Sequence, residues 1–500
     1  MLGNLHVGFF IGGFIVYIGI MILIGYLASK GKSDGKDYLT GGAKLPFYLI
    51  FATLAATFIG TGSAIGATAN GFRAGWYGSA YGLGAAAGLF LLAYCVTKVK
   101  PRQKGFITMC EEAQFCFDGS KEMRIVMSFM MFFVEIIWLG NHMNGGATFL
   151  GYITGIDLLT AKILVVLGFG IYVVIGGYLA VVWTDLIQLS LILVGFIVIA
   201  VVAIPIAGGW DAISATYIAA GKEGALSVYG IKDIGFFGLF ALLFGIFIPA
   251  LGTPTYRMRV YTAKDEKTGL NAITRTAILL LLFSLLPALI GMAAFTIATQ
   301  NGAAAILARP DFAFAYLATV VLGPVLGLFF MIAGLSATLS SGDSDAIAGV
   351  TILIQDIYPV FAKKALPENK VKKWSRGAIV VTLLCAFVLT LFAKDIMSYI
   401  LNVLGSFVPG VSVAMFLGVA WKRVTWQGGL AAIFSGTLFG VFYLLVPPFQ
   451  AYFKAIFTAP AIPATIVSLA FAIIISLATK KPVMTESEKI AAVEAARVSY

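Results

Sequence analysis

The sequence predicts an all-α polytopic membrane protein of about 13 transmembrane helices, and three observations carry that prediction. The 500 residues are 60% hydrophobic and only 11% charged, with a mean hydropathy of +0.97, far from the composition of soluble domains. Apolar stretches of membrane length, about 20 residues each, recur along the whole chain. The Lys and Arg residues gather in alternate loops, which is how the two sides of a membrane are marked. That placement also disposes of nucleic acid as a partner, although a net charge of +11 would otherwise suggest it.

Taken in order, the expected spans lie near 8–29, 47–72, 77–98, 123–152, 158–178, 182–206, 233–254, 273–299, 315–350, 377–394, 397–421, 427–446 and 456–479. The first is long enough to cross and lacks the basic start of a secretory signal, so it reads as a retained helix. Basic clusters fall around Lys30 to Lys44, Lys98 to Arg124, Arg257 to Arg275, Lys363 to Arg376, Lys422 with Arg423, and from Lys480 onward. The positive-inside rule then predicts a cell-membrane protein with its N-terminus outside and its C-terminus cytoplasmic. Cys95, Cys110, Cys116 and Cys385 have no metal-type spacing and form no disulfide framework.

Two spans are interrupted. The second contains AATFIGTGSAIG, with Gly60, Gly62 and Gly66, and the seventh contains GIFIPALGTPT, with Pro249, Gly252 and Pro254. Broken helices at membrane depth free backbone polar groups, which is tolerable only where they are buried or line a cavity. Two broken helices five spans apart are the mark of paired five-helix inverted repeats with a solute near the midplane. Glycines for close helix packing would look similar and are compatible with a binding role. The spacing GxGxxxG, with no strand before it, does not make a phosphate loop.

The ninth span runs into TLSSGDSD, Thr338 to Asp345. Charges at membrane depth are costly, about 2.5–3.5 kcal/mol each on insertion scales, so such acids face a partner, a pore or a cation. On a helix Ser340, Asp343 and Ser344 share one face, with Ser341 beside Ser340. An oxygen-only set suits a hard cation such as sodium. The junction into the sixth span reads GGYLAVVWTDLIQ and places Asp185 just inside an apolar run.

GGYLAVVWTDLIQ, TLSSGDSDAIAG and the broken second span together closely resemble the sodium:solute symporter family over roughly 10–480. The resemblance implies a LeuT-type 5+5 inverted repeat and sodium as the coupling ion, with no other cofactor. It divides the chain into an N-terminal extra helix and loop (1–46), two five-helix repeats (47–206 and 207–421), two C-terminal extra helices (422–482) and a tail (483–500). It also implies a sodium site made by the carbonyls of Ala56, Ile59 and Ala337 with the hydroxyls of Ser340 and Ser341. A second ion in some members would fall on Asp185, Asp343 and Ser344, together with Ser340.

Within the family the motifs SSGDSD, KPRQKGFITM and Tyr256 to Val260 are most similar to the high-affinity choline transporter branch. Phe58 and Trp138 then stand where two walls of an aromatic box would be, and Thr253 stands where a third, tryptophan, would be. Gly60 and Ser63 at the break and Glu135 on the face of Trp138 complete the expected solute site. No Lys or Arg is expected near the midplane, so an amine or zwitterion is favoured, with a monocarboxylate or pantothenate-like solute as the alternative. His142 and Asn144 are expected at the outer interface, and the tail, which opens on the capping-box pattern TESE, is expected to be peripheral.

The partners expected are thus a small solute, sodium and the lipid bilayer, with no obligate protein partner. A channel would need a pore-lining filter repeat. An enzyme is not expected, since the only histidines, His6 and His142, make no HExxH. A solute-sensing membrane receptor on a transporter fold is the alternative from another class.

Overall fold

The computed structural model describes residues 4–29, 35–391 and 395–498. The described residues are helical throughout, apart from turns and one isolated parallel bridge between Leu45 and Ala263. Among the described residues, eleven helical stretches are long and apolar enough to cross a membrane. The expected count of thirteen is not confirmed, for a local reason in each case. The second expected span is cut into Phe47–Phe58 and the helical stretch beyond it. The fifth runs without a loop into the sixth, both lying in the helical run Leu158–Ile206.

The helical run Leu158–Ile206 would extend about 74 Å if continuous, more than twice the hydrocarbon thickness of a bilayer. Gly177 divides it, with φ 62° and ψ −172°. A side chain there would also run into the Tyr38 ring. The glycine pair of the GGY motif therefore serves to end one helix and start another in a conformation open to glycine alone.

The outward faces are apolar. Ile15, Leu167, Val201, Phe236, Leu282 and Leu438 are all exposed, as expected of a surface solvated by lipid chains rather than water. The polar residues are turned inward: Thr53, Glu135, Asp185, Arg259, Ser340 and Asp343 are fully buried. They converge where the broken helix Phe47–Phe58, the helix Lys121–Thr154, the run Leu158–Ile206, the short helix Pro254–Thr262 and the helix Gly323–Ile352 meet.

The tail is not peripheral. The helix Glu486–Val498 lies against the short helix Met109–Cys116, tied by Arg497 to both oxygens of Glu111, each at 2.6 Å. Lys489 meets Asp118 at 2.6 Å. The expected capping box is present, with the Thr485 amide donating to Glu488 Oε2 at 2.7 Å.

Candidate functional site

The helix Phe47–Phe58 ends where Ile59 leaves the helical region, at φ −84° and ψ 54°. The chain resumes as a π-turn over Gly62–Gly66. A helix end leaves its last carbonyls without partners from its own backbone. Here three serines supply them. Ser340 Oγ donates to Ala56 O at 3.1 Å, Ser341 Oγ to Thr57 O at 2.8 Å, and Ser63 Oγ to Phe58 O at 2.7 Å. Ser341 Oγ also lies 3.2 Å from Ala337 O on its own helix.

The residues expected to hold sodium therefore come together around the break: Ala56, Ala337, Ser340 and Ser341 as a nest of neutral oxygens, with Ile59 at the point of rupture. Gly60 is needed for the close approach, since a Cβ there would meet Ser341 Oγ and the His142 ring. Oxygen donors alone suit a hard cation, and their lack of full charge keeps ligation weak enough to reverse. Among the described residues no group of three His, Cys, Asp or Glu could hold a transition metal.

Asp185 and Ser344 are also adjacent. Asp185 Oδ2 accepts from Thr53 Oγ1 at 2.5 Å and from Ser344 Oγ at 3.5 Å. A guanidinium shares their place, contrary to the expectation that no Lys or Arg lies at this depth. Arg259 Nη2 donates to Thr53 Oγ1 at 3.0 Å, to Thr57 Oγ1 at 2.9 Å and to Ser344 Oγ, and lies 3.9 Å from Asp185 Oδ2. Asp343, one residue before Ser344, is buried and within electrostatic range of Tyr17 on the first helix. Tyr17 in turn binds Gln188 of the WTDLIQ motif at 3.0 Å.

On the opposite flank lie the residues expected to face solute. Phe58 stacks directly on Tyr256, centroids 3.9 Å apart, so one face of Phe58 is already covered. Trp138 stands 6.5 Å from Tyr256, and its indole N–H donates to Thr253 Oγ1 at 3.1 Å. The Thr253 hydroxyl itself donates to Pro249 O. Thr253 thus fixes the Trp138 ring, and its single proton is engaged with backbone.

Glu135 is fully buried and accepts twice from Thr255, from the amide at 2.8 Å and from the hydroxyl at 2.5 Å. Asp345, 2% exposed, comes within hydrogen-bonding reach of Glu135 and Thr255. His142 is buried, not at an interface; its Nδ1 lies 2.9 Å from Thr61 Oγ1 and its Nε2 3.3 Å from Asp345 Oδ2.

The family model for the sodium:solute symporter family matches residues 38–436. The chain belongs to the sodium:solute symporter family. This symporter is 26% identical over 490 residues to a sodium/glucose cotransporter of Vibrio parahaemolyticus, covering 91% of the chain and 89% of that relative. It is 25% identical over 492 residues to an osmoregulated proline transporter of Bacillus subtilis (strain 168), covering 93% and 94%.

In fold it is similar to a Na+-coupled sialic acid symporter solved in a substrate-bound outward-open state, with TM-score 0.72, 18% identity and coverage of 96% of this chain and 99% of that one. A nucleobase-cation-symport-1 family transporter in a closed conformation matches at TM-score 0.52 and 13% identity, over 91% and 97%. The LeuT-type fold, the membrane setting and sodium-coupled transport rather than catalysis follow from this membership. Neither named relative is a choline transporter.

Proposed function

We propose that this symporter takes up a small amine or zwitterion with sodium, by alternating access across the cell membrane, with the N-terminus outside. The reading is carried by one juxtaposition: the acid pair Glu135 and Asp345 sits beside the aromatic surface of Trp138 and Tyr256, a few residues from the serines of the oxygen nest. A cationic head group is stabilised both by carboxylates and by ring faces, the latter at about 0.5–2 kcal/mol each. The nest of Ala56, Ile59, Ala337, Ser340 and Ser341 is the sodium site of this proposal. Gly60 and Ser63 shape the break beside it. The two repeats, 47–206 and 207–421, supply one broken helix each.

A second ion at Asp185, Asp343 and Ser344 would have to share that space with Arg259, or wait until the guanidinium moves. Arg259 also supports the second reading. Its buried Nε has no hydrogen-bond partner, and a monocarboxylate or the carboxylate of a zwitterion could take it.

The test is uptake into proteoliposomes under an inward sodium gradient. Concentrative accumulation of an amine or amino acid that collapses with the gradient is expected, each net charge moved adding about 2.3 kcal/mol per 100 mV. Solute that only equilibrates would point to a channel. Binding with no flux would point to the sensing receptor.

A further inference from the structure

The first helix, Asn4–Ser29, turns much of its surface to lipid: Ile15, Val16 and Ile20 are all exposed. Tyr17, among them, is buried. A phenol taken out of water needs hydrogen-bond partners, and this one finds two in the interior of the bundle. Gln188 Nε2 donates to the Tyr17 hydroxyl at 3.0 Å, and Ser336 Oγ lies 2.8 Å from it. Gln188 and Ser336 are themselves fully buried.

The positions of these partners give the contact its meaning. Ser336 precedes Ser340 by four residues on Gly323–Ile352, and Gln188 follows Asp185 by three on Leu158–Ile206. Each therefore lies one turn from a residue of the ion sites proposed above, on the same face of its helix. The two helices run antiparallel. Toward one end a side chain on Gly195 would run into Ala333, the close approach that small residues allow; toward the other, Asp185 Oδ2 accepts from Ser344 Oγ at 3.5 Å. Gln188 and Ser336 fall between these contacts and are joined through the Tyr17 hydroxyl.

The hydrogen bonds inside the oxygen nest cannot hold the helix when the nest is filled. Ser340 Oγ donates to Ala56 O at 3.1 Å. A sodium ion at the proposed site draws lone pairs from both of these oxygens, so it comes between the groups that this bond joins. The contact at Ser336 lies one turn away. It can persist with the ion in place.

We propose that Tyr17 is a positioning residue for sodium: its hydroxyl, bound to Gln188, fixes the helix Gly323–Ile352 at Ser336 and keeps Ser340 and Ser341 facing the broken helix once the ion has replaced the bond between Ser340 and Ala56. This rests on the sodium site proposed above and adds to it a residue of the first helix that does not touch the ion. Tyr17→Phe keeps the ring but takes that partner from Ser336 and from the Gln188 amide. The helix then turns more freely about its axis, and the serine oxygens spend less time in the geometry that ligation needs.

The experiment is displacement of radiolabelled sodium by unlabelled sodium on the full-length protein in detergent, at constant ionic strength set with potassium chloride, alongside thermal unfolding in potassium alone. Tyr17→Phe is expected to raise the half-saturating sodium concentration about fivefold, the ratio that one neutral hydrogen bond can supply. Ser336→Ala removes the same bond from its other side and should match it. The double variant should be no worse than either single one, since residues acting through one bond are not additive.

A phenol that only anchors the first helix would lower the unfolding temperature in potassium and leave the half-saturating concentration where it was, and that result overturns the proposal. Additive shifts in the double variant overturn it as well. Should Tyr17→Phe fail to fold, Ser336→Ala decides by the same readout. Ser340→Ala and Ser341→Ala in the same assay keep two failures apart. If they weaken sodium binding and Tyr17→Phe does not, Tyr17 alone is misassigned; if neither weakens it, the sodium site falls and the proposal with it.

Discussion

Two buried charge clusters in this symporter use the same residue types to opposite effect. Toward the C-terminus, Arg124 lies 3.1 Å from Asp356 and 3.5 Å from Glu111, while Arg497 takes both oxygens of Glu111. Beside them Arg257 pairs with Glu112, which also accepts from the Tyr261 hydroxyl at 2.6 Å. Every acid there has a guanidinium. At the broken helices, Glu135 and Asp345 are as deeply buried but meet hydroxyls, an amide and an imidazole. A guanidinium is a permanent charge on a planar fork and locks its partner. Hydroxyls, an amide and an imidazole are not such a lock. The first cluster is a structural clasp, and in the function proposed above the second receives the solute's cationic group.

Breaking the clasp should have the largest effect. Arg124→Ala leaves Glu111 and Asp356 buried without that cation, and removal of one partner of a buried pair costs about 3–5 kcal/mol, readable as denaturant or thermal unfolding in detergent. Glu135→Gln should cost less than about 1 kcal/mol of stability and yet abolish concentrative uptake. If Arg124→Ala proved no more destabilising than Glu135→Gln, the distinction between the clusters would collapse.

Ser340→Ala and Ser341→Ala sharpen it further. Each is expected to raise the sodium concentration for half-maximal uptake about tenfold, equivalent to about 1.4 kcal/mol, without touching either acid cluster. An unchanged sodium dependence in both would remove the nest as the sodium site. The smallest effect belongs to Arg497→Ala. Its side chain is about a third exposed, solvent screens the pair, and the loss should stay under about 1 kcal/mol.

The sequence already displayed the broken spans, the serines of TLSSGDSD and the acid of WTDLIQ, because each is a breach of membrane chemistry and stands out against an apolar background. What it concealed depends on the path of the chain. Arg257 and Arg259 sit in a basic run after the seventh span and look like loop residues. The structure turns them back inward on Pro254–Thr262, started by the Pro at its first position. Tyr256 and Arg259, three apart on that helix, were the available sign of a common face.

His142 looked unremarkable because its partner, Asp345, is some two hundred residues away, and no local pattern joins them. Asp345 was visible within its motif, but helical spacing alone could not tell which of the two aspartates turns toward Glu135. The docking of the tail likewise depends on Glu111 and Asp118, whose availability only the folded loop reveals.

The helix that carries Ser340 and Ser341 does not run evenly to its anchored end. Between Ile352 and Tyr358 it widens into a π-turn, Leu353–Ile357, and Asp356 of the clasp lies inside that turn. A regular helix transmits rotation as a rigid shaft does, whereas a wider turn, with its poorer hydrogen bonding, twists first. At the sodium site proposed above, the serines would then roll as the ion arrives while Asp356 keeps its grip on Arg124, with the strain taken up as torsion in five residues. Amide hydrogen exchange should show it, with the amides of Leu353–Ile357 exchanging faster than those of the turns on either side, and most differently with and without sodium.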